Sequence, residues 1–105
     1  MSADNINYSI VFEKAEQFAL SYSKDIYVDE SHKETISENG IDYACVPLSF
    51  TAKGNRQLLK QIMDSGFCSK MNGQIVNGKR IIKVLLWIDT DTYNYYSVPN
   101  RYLNF

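Results

Sequence analysis

The chain has 105 residues, 45% hydrophobic and 22% charged, which are ordinary values for one globular domain with a core that needs no staples. No run approaches the length of a membrane span, and the start, MSADNINYS, lacks a basic stretch followed by an apolar one; a cytoplasmic protein with no membrane partner is expected. The net charge of −1 excludes a uniformly basic or acidic surface.

That small net charge hides an asymmetry. Residues 1–42 hold nine acids against three bases, a net −6, while residues 51–83 hold seven bases against one acid, a net +6. Such a split points either to a charged partner or to two halves that neutralise each other inside the fold.

Residues 6–12 alternate as a strand would, at Ile6, Tyr8, Ile10 and Phe12. Helical spacing runs further: Val11, Ala15, Phe18 and Tyr22 share one side, with Phe12 and Ala19 alongside and Glu13, Lys14, Glu16 and Gln17 mostly opposite. A helix over about 9–23 is predicted, capped by Asn7 or Ser9. The acidic stretch KDIYVDESHKE follows, with room for a short extended piece at Ile26-Tyr27-Val28.

A hairpin turning at Glu38-Asn39-Gly40 comes next, between His32–Ser37 and Ile41–Phe50. Its first arm is polar and suits a sheet edge, where charge discourages strand addition. The second, IDYACVPLSF, is apolar on both sides, and Pro47, which cannot donate to a ladder, marks an edge position or a bulge. After the loop TAKG, a helix over 55–65 starts at Asn55 and ends at Gly66. Leu58, Leu59, Ile62 and Met63 form its buried side; Arg56 and Lys60 point away, and Lys53 extends their stripe.

The stretch 67–88, FCSKMNGQIVNGKRIIKVLLWI, organises the rest. Asn77-Gly78 between apolar runs is a strong hairpin signal, because both central residues of a type I′ turn need positive φ. Counting outward from Val76 and Lys79 sets Ile75 against Arg80, Gly73 against Ile82, Met71 against Val84, Ser69 against Leu86 and Phe67 against Ile88, one mostly apolar face. The other face carries Gln74/Ile81, Asn72/Lys83, Lys70/Leu85 and Cys68/Trp87. Either a second small cover lies over it, or Trp87 and Leu85 stay partly open as a partner surface, as tryptophan often does at binding hot spots. Asn72-Gly73 offers an alternative turn or a bulge. Asp89-Thr90-Asp91-Thr92 then leads into a last strand, Tyr93–Val98, broken by Pro99-Asn100.

The resulting order is α, β, β, α, β, β, β. It predicts a single α+β domain over 1–105: a mainly antiparallel sheet built on the 67–88 hairpin, with both helices packed on one face.

Catalytic parts are hard to assemble from this inventory. The one histidine, His32, sits among Asp29, Glu30 and Glu34, and pairing it with Cys45 or Cys68 as a nucleophile competes with the plainer picture of an exposed histidine and two buried thiols. Spacing supports no zinc site. Asp89-Thr90-Asp91 matches only the start of a calcium loop, since the sixth position is Asn94 and the twelfth Asn100. Thr51-Ala52-Lys53-Gly54-Asn55 precedes a helix and offers a weak anion site without the glycines of a P-loop. No enzyme activity, cofactor or metal is expected. The two cysteines read as free thiols, with a disulfide left open.

Surfaces remain. The eight tyrosines include a cluster at Tyr93, Tyr95, Tyr96 and Tyr102, and adjacent Tyr95 and Tyr96 cannot both face inward from a strand. Two functions follow as expectations. The first is an inhibitor that occludes a protein partner, such as a nuclease or another nucleic-acid-binding protein, in the manner of immunity proteins, antitoxins and anti-CRISPR proteins. It would use the carboxylates of Asp25, Asp29, Glu30, Glu34 and Glu38, with Trp87, Tyr95 and Tyr96 as aromatic contacts. The second is a nucleic-acid-binding module using Lys53, Arg56, Lys60, Lys79 and Arg80, although a pI near 5.7 is low for that class. A homodimer through Trp87 and Leu85, or through the Tyr93–Val98 edge, is a further expectation.

Overall fold

We describe residues 6–32 and 34–97 of a computed structural model, and at 69–71 the backbone alone. The elements are α1 (Tyr8–Tyr22), β1 (Tyr27–Val28), β2 (Glu34–Glu38), β3 (Ile41–Thr51), α2 (Arg56–Asp64), β4 (Cys68–Val76) and β5 (Lys79–Asp89). The strands form one antiparallel sheet in the order β1-β3-β5-β4, with β2 joining β1 on the same flank of β3. This is the α+β architecture read from the sequence.

Helical spacing prevails over strand alternation at the start because it buries Val11, Ala15, Phe18 and Ala19 on one side. Asn7 is the cap; its side-chain oxygen accepts from the Ile10 amide at 3.4 Å. In α2, Ile62 is fully buried, with Leu58, Leu59 and Met63 beside it. Both helices cover the face formed by Ala44, Val46, Leu48 and Phe50 of β3 and Ile82, Val84, Leu86 and Ile88 of β5.

Both hairpins turn where expected. Asn39 and Gly40 have φ of 53° and 79°, Asn77 and Gly78 of 51° and 78°, the positive pair that a type I′ turn requires. From Val76/Lys79 to Met71/Val84 the register is the one counted from the turn. It then shifts at a bulge between Ser69 and Met71, which places Ser69 opposite Leu85 and Cys68 opposite Leu86. The expected pairing of Cys68 with Trp87 is therefore corrected. One extra residue reverses the alternation, so the Cys68 thiol enters the helix-side core. Asn72 and Gly73, the expected bulge, pair regularly with Lys83 and Ile82.

Pro47 lies in a central strand, yet its missing donor disturbs nothing. In an antiparallel ladder the N–H and C=O of one residue point to the same neighbour. The Pro47 carbonyl accepts from Asp29 N at 2.9 Å, so its nitrogen faces the flank where β1 ends and β2 has not begun, away from β5.

The last expected strand does not form among the described residues. Tyr95 makes a single bridge to Ile88, and the chain before it is a turn in which the Asp89 carboxylate accepts from the amides of Asp91 (2.8 Å) and Thr92 (3.3 Å). Val98, Arg101, Tyr102 and Phe105 lie outside the described residues.

Candidate functional site: a cationic groove at the hairpin end

The β4–β5 hairpin runs past α2, and its tip faces the loop that joins β3 to α2. The Ala52 amide donates to the Arg80 carbonyl at 2.9 Å, tying that loop to β5. Asn55 Nδ2 donates to the Thr51 carbonyl at 2.7 Å, and Gly54 takes a φ of 78° that lets the loop fold back. Between loop, helix and hairpin opens a groove of about 930 Å³ lined by the cations Lys53, Arg56 and Arg80 and by the apolar Leu59, Ile75 and Ile82. Gly73, opposite Ile82, also lines it, and no atom lies within 4 Å of where its Cβ would stand. A smaller hollow of about 390 Å³ continues it over the tip and shares Lys53 and Arg80, adding Lys79.

Four cations thus border one concave end with no carboxylate in either lining. Among the described residues none of the four is paired with an acid. Lys60, the third residue of the expected Lys53/Arg56/Lys60 stripe, lies outside both linings, with its ammonium 3.1 Å from Asp64 on the exposed side of α2. No tyrosine lines the groove.

The acidic surface is less complete than the sequence suggested. Asp25, Glu30 and Glu34 are exposed. Glu38 is only 7% exposed, which corrects its place among the solvated carboxylates. Asp29 is occupied locally: it accepts from the Ser31 hydroxyl (2.5 Å) and amide (3.1 Å), meets His32 Nδ1 at 2.8 Å and lies 3.8 Å from Lys83. The Ser31 hydroxyl bond, helped by His32 and opposed by partial desolvation, holds its carboxyl below the usual aspartate value. The Lys83 contact shows that part of the charge asymmetry is neutralised within the fold.

The aromatic candidates are rearranged as well. Trp87 is 1% exposed, so the partly open tryptophan is corrected: it packs with Tyr43 and Cys45 in a second cluster on the helix-free face, backed by Ile36, Ile41 and Leu85. With the ring buried, the dimer through Trp87 loses its anchor. Tyr95 turns to the helices, stacking edge-on against Phe18 at 4.9 Å and donating its hydroxyl to the Lys14 carbonyl at 2.8 Å. Tyr96 turns the other way, lies 5.0 Å from the Tyr43 ring and remains partly exposed.

Cys45 and Cys68 are both free and buried, on opposite faces of the sheet. Burial pushes both thiols up to about 12, with Glu34 adding to the effect at Cys45. Neither can serve as a nucleophile at neutral pH, and His32 is engaged with Asp29 instead. An aromatic disulfide reagent should therefore find no reactive thiol in the native protein and both after denaturation; fast native labelling of either would contradict this burial. The raised values also set a sign. Between the ordinary thiol value of 9.0 and about 12, unfolding releases protons that the native state keeps, so stability falls as pH rises through that window.

What the sequence did not disclose is the meeting of Lys53 with Arg80. Only the β3–β5 register, with Thr51 opposite Ile81, brings them together. No known protein family matches the chain, and neither a curated protein nor a solved structure resembles it significantly. Among the described residues no helix is long and apolar enough to cross a membrane.

Proposed function

We propose that this protein is a non-enzymatic binding module that holds nucleic acid in the cationic groove. The observation that supports it is the convergence of Lys53, Arg56, Lys79 and Arg80 on one concave end without an acid in its lining. Phosphate contacts of this kind supply most of the affinity in sequence-independent binding. The acidic pI does not oppose the reading, because at physiological ionic strength charges are screened over about 8 Å. A phosphate in the groove meets the local cluster, not the net charge. The apolar lining of Leu59, Ile75 and Ile82 gives sugars and bases a surface to cover.

Titration of labelled single- and double-stranded oligonucleotides at low and moderate salt tests it. Binding at low salt that weakens steeply with added salt is expected. Absence of binding at low salt overturns the proposal and favours the other reading, occlusion of a basic protein partner by the carboxylates that remain exposed, Asp25, Glu30 and Glu34.

A further inference from the structure

The most exposed large apolar side chains among the described residues fall into two groups. Tyr27 (69%) and Leu20 (66%) border a shallow depression of about 450 Å³ between α1 and β1, framed by Glu16 and Glu30 and holding no cation. Ile75 (70%) and Val76 flank the turn that carries Lys79 and Arg80. The two patches are alike in exposed apolar surface and opposite in charge. Tyr27 belongs to β1 and Ile75 and Val76 to β4, the outermost strands of the β1-β3-β5-β4 order, so the two patches lie at opposite edges of the sheet and cannot meet within one chain. A surface residue such as Tyr27, large and rigid, is the type that anchors contacts. Here its complement in charge and polarity is present on every other copy.

We propose that the chain associates head to tail, the Leu20/Tyr27 edge of one copy covering the cationic hairpin end of the next, and that this contact closes the groove to nucleic acid. The closure clause rests on the groove reading above; the association does not. Because the two surfaces differ, the contact is heterologous and leaves a free edge at each end, so it builds open chains or rings, not a capped dimer. The patches are small and rimmed by charge, which places the contact in the weak, reversible class below about 1,200 Å². It is weakened by salt, as contacts between exposed charges are.

Sedimentation velocity of the whole chain, without nucleic acid, reads the association directly. For the wild type at low salt the weight-average mass should climb with concentration from micromolar to millimolar without stopping at a dimer. Glu16→Lys with Glu30→Lys makes both edges basic, and Lys79→Glu with Arg80→Glu makes both acidic. All four residues are exposed, so both variants should fold. Each should remain monomeric alone, and an equimolar mixture should associate again, because each then offers the edge the other lacks. A wild type monomeric at millimolar concentration, variants that associate as the wild type does, or a mixture that stays monomeric would each overturn the proposal. Addition of an oligonucleotide to the associated wild type should disperse it. Binding without dispersal overturns the closure, whereas failure of the oligonucleotide to bind overturns the groove reading and leaves the association to be judged by sedimentation alone.

Discussion

Trp87→Ala should cost about 3–5 kcal/mol of folding stability, the range for truncating a large buried aromatic side chain. That is a large share of the 5–15 kcal/mol typical of a domain this size. The ring is 1% exposed, sits opposite Cys45 in the β3–β5 register and lies 5.2 Å from the Tyr43 ring. Its removal leaves a hole beside Tyr43, Cys45 and Leu85, which pack against it. Tyr96→Ala is the contrast. That side chain is 37% exposed and meets Tyr43 through a ring contact and a side-chain hydrogen bond, so a smaller loss of about 1–3 kcal/mol, one aromatic pair plus one hydrogen bond, is expected. Urea denaturation of the two variants separates the cases, and the fluorescence of the only tryptophan gives an independent reading. Its emission should be at short wavelength and resist quenching by acrylamide. A Trp87→Ala variant that lost less than about 1 kcal/mol would place the ring at the surface, where the sequence allowed it to be.

The parts of this fold that are governed by local rules could be read without coordinates. Two Asn-Gly turns need positive φ and have it. Two apolar helix faces have one sheet to cover, and the alternation of Ile82, Val84, Leu86 and Ile88 names the side of the sheet they cover. The errors come from features with no local signature. Ser69-Lys70-Met71 contains neither glycine nor proline, yet it holds the bulge, and that single extra residue moves Cys68 from one face to the other. Trp87 is buried in a cluster to which the β2–β3 hairpin contributes Ile36, Ile41 and Tyr43, a long-range packing result with no local signature. Glu38 is buried in that same hairpin, against the ordinary behaviour of a glutamate. The groove is a matter of register: Lys53 and Arg80 are far apart in sequence and become neighbours through the Ala52–Arg80 hydrogen bond. Charge counting found the basic segment but could not tell that Lys60 would pair with Asp64 while Lys53, Arg56, Lys79 and Arg80 would not.

Lys53→Glu with Arg56→Glu should weaken oligonucleotide binding by about 30-fold or more at low salt. The figure follows from about 1 kcal/mol per lost charge contact in water, two contacts, and a factor of ten for each 1.4 kcal/mol; repulsion from the new carboxylates adds to it. Both side chains are exposed, so stability should move by no more than about 0.5 kcal/mol, and the loss cannot be put down to unfolding. Salt dependence supplies the second reading. Four phosphate contacts at about −0.7 each give a log–log slope near −3 for a single strand, and the variant should fall to about half of that. The matching control is Asp25→Lys with Glu34→Lys, exposed carboxylates outside both the groove and the Tyr27 patch. At physiological salt it should leave oligonucleotide affinity within about twofold, since neither residue lines the groove and exposed charges are then screened over about 8 Å. If instead the basic pair changes nothing and the acidic pair slows association with a basic protein partner, the groove is not the working surface and occlusion by the acidic face takes its place. If neither pair matters, charge does not drive recognition, and the apolar side chains of Leu20, Tyr27 and Ile75 are left as the surfaces to truncate next.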